Sequence, residues 1–142
     1  MPIVGHGIDL VEVDRISQMI ARHGDHFLLR VFTEAERGYA HASAKRRDEH
    51  LAARFAAKEA ALKALGTGWR SGIAWTDIEV VRDASGKPVL NVTGEALRIA
   101  ESISITRWHV SLSHTESHAI ASVIATTEPH TPGESPTTGA RP

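Results

Sequence analysis

Two carboxylates stand where their neighbours make a charge expensive. Asp9 lies in GHGIDLVEV, an apolar and β-branched run in which aspartate works against strand propensity. A regular strand there turns its side chain to the face opposite Ile8 and Leu10. Glu59 lies in RFAAKEAALKALGTG, which reads as a helix closed by a glycine turn. Each residue has an undemanding reading. Asp9 could be an edge-strand or turn residue bonded to nearby amides, and Glu59 could pair with Lys63 one turn on, worth about 0.2–0.5 kcal/mol. If the two converge, they form a site too poor in ligands to cage calcium. It would suit magnesium, which keeps waters and takes further oxygens from a substrate phosphate. Arg54, Lys45 and Lys63, with Thr67 between Gly66 and Gly68, offer cations and free backbone amides for phosphates. Ser113, His114 and Thr115 add three polar donors at a strand end. Nine histidines raise the question of zinc, but HTESH spaces His114 and His118 for a helix while its flanks alternate like strands, and it is not H-E-x-x-H.

Positioning these groups requires particular elements. IVGHGIDLVEV predicts a strand, whose Gly5 and Gly7 point to a bulge or a close backbone approach. DRISQMIARHG predicts a helix capped by Asp14 and stopped at Gly24. Thr33 to Glu36 has the form of a capping box opening a short helix near 34–42. A long helix follows from about Lys45 to Leu65. At helical spacing, Leu51, Phe55, Leu62 and Leu65 make a bulky face and Ala53, Ala57, Ala60, Ala61 and Ala64 a small one. Both faces read as buried, which leaves Glu59 and Lys63 a narrow strip beside Ala52 and Ala56. A nearly buried carboxylate needs more than one exposed partner. DIEVVR and PVLNVT, separated by DASGK, predict a hairpin; GEALRIAES predicts a short helix; RWHVSLS and AIASVIA predict antiparallel strands. Segregation of strands and helices favours an α+β fold, helices packed on an antiparallel sheet.

The 142 residues suit one domain, read as 1–126, with a Pro-, Gly-, Ser- and Thr-rich disordered tail over 127–142. A net charge of −1 provides no global field for a polyanion, so non-specific nucleic-acid binding is not expected. The absence of cysteine removes disulfide and thiolate chemistry. No stretch approaches the roughly 20 apolar residues that span a bilayer. The expectation is a cytoplasmic protein with no membrane partner.

GIDLVEVDRI, RVFTEAE, RFAAKEAALKALGTG, the GKP of the hairpin and SLSHT, in this order, resemble the bacterial holo-[acyl-carrier-protein] synthases, the small 4′-phosphopantetheinyl transferases. The resemblance runs from about Ile3 to Ala125. It implies the transferase fold and transfer of the 4′-phosphopantetheine arm of coenzyme A to a serine of an apo acyl carrier protein, leaving adenosine 3′,5′-bisphosphate. It also implies Mg2+ held by Asp9 and Glu59 on the coenzyme A diphosphate, with Lys63 facing the same phosphates. Lys45, Arg54, His114 and Thr115 would contact the 3′-phosphate, and Gly66 to Gly68 would border the adenine. Arg15, Met19 and Arg22 would receive the acidic helix of the carrier, and the family implies a homotrimer with sites between subunits. Arg15, Met19 and Arg22 also recur at helical spacing, which places cations beside an adaptable apolar contact. Trp69 stands after GTG where an aliphatic residue is common in the family. A carrier-binding module without catalysis and a metal-free coenzyme A acyltransferase are the competing readings, and the choice between fatty-acid and polyketide carriers is open.

Overall fold

The computed structural model describes residues 2–70 and 72–129. Strand β1 (Ile3–Glu12) runs directly into helix α1 (Val13–His23), followed by α2 (Asp25–Val31), α3 (Glu34–His41) and the long α4 (Arg47–Leu65). Then come the hairpin β2 (Ile78–Arg82) and β3 (Pro88–Val92), α5 (Gly94–Ser102), and strands β4 (Arg107–His114) and β5 (His118–Thr126). The strands form two sheets. One has the order β1-β5-β4, antiparallel throughout, and the β2-β3 hairpin stands apart from it.

α2 was not legible in the sequence pattern. Gly24 ends α1 at φ 54, its N–H donating to Ile20 O (2.8 Å), and its own carbonyl then accepts from Leu28 N (3.2 Å). One left-handed residue therefore closes one helix and opens the next, which a stop signal alone does not reveal. α1 also starts two residues earlier than a cap at Asp14 predicts: Glu12 holds the cap position, Asp14 lies inside the first turn, and Val13 N–H donates to Ser117 O (2.9 Å). The capping box at Thr33 forms as expected: Glu36 N donates to Thr33 Oγ1 (3.3 Å) and Thr33 N to Glu36 Oε1 (3.0 Å).

α4 lies across β1 and β5, and the glycines of β1 let it do so. A Cβ on Gly5 would overlap the Ala64 carbonyl oxygen, and one on Gly7 the Ala60 carbonyl oxygen. The register of β1 also shifts between Ile3 and Gly5, so the bulge and the close approach both occur. From Leu51 onward, only Glu59 and Lys63 on this helix escape burial. Ala52 and Ala56, expected to share their strip, are fully buried.

Lys58 holds the layers together from inside. Its ammonium lies 2.7 Å from Glu36 Oε1, both side chains fully buried, and it also donates to Trp75 O (3.2 Å) and Ile78 O. Glu36 Oε2 accepts from Val80 N (3.0 Å). The capping carboxylate of α3 thus pairs with α4 and anchors β2. Desolvation pushes Lys58 below the ordinary lysine range, opposed by the Glu36 charge. The sequence reading missed Lys58, although its position seven residues from both Leu51 and Leu65 sets it on their side of the helix.

The opposite face of the β1-β5-β4 sheet is bare. Cross-strand rows run His6–Ile124–His109, then Ile8–Ser122–Ser111, then Leu10–Ile120–Ser113. Ile8 and Leu10 are 52% and 64% exposed. The expected tail mostly lies outside the described residues. At its start, Thr127 N–H donates to Pro2 O (3.1 Å) and Glu128 N–H to Thr106 Oγ1 (2.8 Å).

Candidate active site

β1 and α4 bring Asp9, Glu59 and Lys63 together. Side-chain alternation on β1 turns Asp9 toward α4, where Lys63 Nζ donates to Asp9 Oδ1 (3.2 Å) and to Ile8 O (2.8 Å). Asp9 is 11% exposed and Lys63 54%. Asp9 Oδ2 is buried with no hydrogen-bond donor. Glu59 faces Asp9 from the helix. Its carboxyl is pushed up from 4.5 to about 7, first by burial and then by Asp9, against the lowering influence of Arg15 and Lys63. Two carboxyls forced together, one with an orphaned oxygen, are short of positive charge. Among the described residues no three His, Cys, Asp or Glu side chains cluster as metal ligands. The pair therefore fits an ion that takes most of its ligands from water and substrate, such as magnesium.

Two clefts flank α1. The first, about 540 Å³, is lined by Ser17 of α1, by Lys45 and Arg46 of the short turn before α4, by Arg47, Asp48 and Glu49 of its first turn, and by His114 and Glu116. His114 Nδ1 lies 3.2 Å from Glu49 Oε1, and Ser17 Oγ donates to Asp48 Oδ2 (2.6 Å). Lys45 and His114, predicted together, thus line one cleft. Arg54 does not line it. Only 2% exposed, it stacks over Tyr39 at 4.1 Å and donates to His50 O (3.2 Å), with Nε buried and unpartnered. His50 bridges the two, its ring 5.1 Å from Tyr39 and 5.5 Å from His114. Burial lowers its pKa, with the Arg54 charge second.

The second cleft, about 490 Å³, includes Arg15, Met19, His23 and Arg30 of the first two helices, with Glu59, Phe55, Trp69 and Trp75 opposite. Two of the three expected carrier contacts, Arg15 and Met19, therefore share a cleft with the helix carboxylate. Arg22 is exposed outside its lining. Trp69 stacks on Trp75 (6.3 Å, 18°), which stacks on Phe55 (5.3 Å, 29°). This aromatic ladder was not legible in the sequence, because loop residues 69 and 75 reach Phe55 only through the fold.

The glycine turn needs a correction. The amides of Gly66 and Gly68 are not free: they donate to Lys63 O (3.0 Å) and Leu62 O (3.3 Å), closing α4 with Gly66 left-handed at φ 80. Thr67 Oγ1 donates to Gly68 O (2.8 Å). At the other end of the site Thr115 Oγ1 accepts from Ser117 N (3.3 Å) and His118 N (3.2 Å), so it builds the β4-β5 turn. Ser113 is exposed. Glu49, the partner of His114, was missed by the sequence reading; its only signal is its place in the first turn of α4.

A three-stranded antiparallel sheet crossed by a helix thus brings together one carboxylate from each. Residues 5–123 match the 4′-phosphopantetheinyl transferase superfamily. A holo-[acyl-carrier-protein] synthase of Koribacter versatilis is 52% identical over 122 residues, covering 86% of this chain and 97% of that one. Another from Gloeobacter violaceus is 50% identical over 117 residues, 82% and 88% of the two chains. Among solved structures, the holo-[acyl-carrier-protein] synthase of Neisseria meningitidis is similar at TM-score 0.79 and 36% identity, covering 89% of this chain and all of that one. The Bacillus anthracis enzyme in complex with coenzyme A (3′,5′-ADP) is similar at TM-score 0.72 and 38% identity, covering 89% and 98%. The chain belongs to the 4′-phosphopantetheinyl transferase superfamily, in its holo-[acyl-carrier-protein] synthase group.

Proposed function

We propose a division of labour for the transfer this enzyme catalyses, in which the 4′-phosphopantetheine arm of coenzyme A moves to a serine of apo acyl carrier protein and adenosine 3′,5′-bisphosphate leaves. The serine Oγ–phosphorus bond forms at the β-phosphate as the bond to the bridging oxygen breaks. Asp9 and Glu59 would hold magnesium, which when bound supplies positive charge to the coenzyme A diphosphate. The observation that carries this reading is the crowded carboxyl pair, with Asp9 Oδ2 orphaned and Glu59 pushed to about 7.

The chain's own groups do the rest. Lys63, tethered to Asp9 and Ile8 O yet half exposed, places a cation beside the departing phosphate, where charge develops. Glu59, or a water it holds, takes the serine proton. Lys45 and His114 in the first cleft suit the 3′-phosphate, with Thr115 at the adjoining turn. Arg54 lends charge from beneath Tyr39 and His50, and Ser113 with the Gly66–Thr67–Gly68 turn borders the nucleotide. Arg15 and Met19, joined by Arg22 on the outer side of α1, receive the acidic carrier helix. Arg15 thereby bridges docking and chemistry, since its charge already acts on Glu59. The enzyme works in the cytoplasm as a homotrimer with sites between subunits. The exposed Ile8, Leu10 and Ile120 on the bare sheet face support self-association, because an exposed apolar surface invites a cover.

The test is mass spectrometry of an apo carrier incubated with coenzyme A, magnesium and the folded variants. The native chain should add one phosphopantetheine mass, and Asp9→Ala or Glu59→Ala should reduce the rate by at least about 100-fold. Full activity in both variants rejects the carboxylate assignment, and an acyl gain in place of phosphopantetheine rejects the reaction. Arg15→Glu should raise the carrier concentration needed for half-maximal rate about tenfold, while coenzyme A affinity stays unchanged.

A further inference from the structure

His114 enters the first cleft with one ring nitrogen already engaged. Its Nδ1 lies 3.2 Å from Glu49 Oε1. A carboxylate can only accept, so this contact places a proton on Nδ1. Nε2 makes no hydrogen bond among the described residues and is the nitrogen left for a ligand. The ring is packed as well as bonded. His50 meets it edge to face at 5.5 Å, and His50 is itself set against Tyr39 at 5.1 Å and bonded through its carbonyl to Arg54. Glu49 and His50 are consecutive residues of α4, so one helix turn grips a histidine that arrives at the end of β4, 65 residues after its partner.

Glu49 has no other work among the described residues, where His114 is its one side-chain hydrogen-bond and ion-pair partner. Its neighbour Asp48 accepts from Ser17 Oγ (2.6 Å) and Arg47 Nε (2.8 Å), and so ties α4 to α1. Lys45 and Arg46 line the same cleft without an ion pair among the described residues. The Glu49 side chain is 16% exposed and that of His114 27%, so their contact is partly shielded from water and stronger than one on the open surface.

We propose that Glu49 is a positioning residue for coenzyme A: it fixes the ring angle and the Nδ1 proton of His114 so that Nε2 is presented to the 3′-phosphate. This role rests on the reading above in which Lys45 and His114 take that phosphate, and adds to it the residue that orients the histidine. Charge separates it from a spectator role. A carboxylate that merely bordered the cleft would repel a phosphate, so its removal would tighten coenzyme A binding. A carboxylate that orients the ring has the opposite effect, because without its Nδ1 acceptor the imidazole turns about its side-chain bonds and the phosphate must order it on binding. An acid in the first turn of a helix also stabilises that helix by about 0.3–1 kcal/mol, which acts on folding and not on the choice between substrates.

Steady-state kinetics with apo carrier, magnesium and either coenzyme A or 3′-dephospho-coenzyme A test this, with circular dichroism confirming the fold of each variant. Glu49→Ala should raise the KM for coenzyme A about tenfold, as for the loss of one charge-assisted hydrogen bond, and lower kcat less than about threefold. With the dephospho analogue, which offers His114 no 3′-phosphate, the same substitution should change KM less than about twofold. Glu49→Gln keeps an acceptor for Nδ1 and should hold the KM for coenzyme A within about threefold of native. In a His114→Ala background, Glu49→Ala should add less than about twofold. A His114→Ala chain that loses equally with both substrates overturns the 3′-phosphate reading and the positioning role with it. If His114→Ala loses on coenzyme A alone, any of three results overturns the Glu49 role and leaves that reading standing. These are a KM for coenzyme A that falls or holds in Glu49→Ala, a KM that rises equally for both substrates, and a glutamine variant as impaired as the alanine.

Discussion

Replacing Glu59 with glutamine should make the metal-free protein more stable at pH 8 and much less so at pH 5. The folded chain raises this carboxyl from 4.5 to about 7, chiefly through burial and then Asp9. Between those values the folded state holds a proton that the unfolded state has released, so stability falls as pH rises and the penalty is complete above about 7. The raw displacement corresponds to at most about 3.4 kcal/mol. Because Glu59 is only half-buried, solvent screening reduces this to about 1–2 kcal/mol. Glutamine keeps the shape and removes the titration, so urea unfolding should show a gain of about 1–2 kcal/mol at pH 8 and a few tenths at pH 5. Added magnesium should stabilise the native chain and not the variant, which would erase or reverse the difference at pH 8. An equal effect of the substitution at both pH values, or a loss at pH 8, would refute the crowded-pair argument independently of any activity measurement.

Gly7→Ala should cost about 3 kcal/mol by thermal or urea unfolding, because the new methyl meets the Ala60 carbonyl, backbone that cannot turn aside. Lys58→Met should cost about 3–5 kcal/mol by leaving the Glu36 carboxylate buried beneath β2 without its cation. Lys58→Met/Glu36→Gln should recover much of that in the same measurement, since the unpaired charge is gone.

Which residues could do the chemistry was legible from local sequence. Asp9 in an apolar strand, Glu59 and Lys63 one turn apart, and the glycines at 5 and 7 are chemically unusual where they stand, and strand and helix periods depend only on near neighbours along the chain. The α2 helix escaped because Gly24 reads as a stop and only its φ shows that it also begins a helix. What tertiary structure alone decided were the meetings of residues far apart in sequence. These include Asp9 with Lys63, His114 with Glu49, Trp69 with Trp75 and Phe55, and His6 with His109 across Ile124. Lys58 shows the boundary between the two. Its spacing from Leu51 and Leu65 carried a signal that the sequence reading did not take up, and only the packing of α3 and β2 over α4 supplied the carboxylate and carbonyls that let a charge remain there. Burial cost and pairing act through space, and the order of residues along a chain specifies space only after the chain has folded.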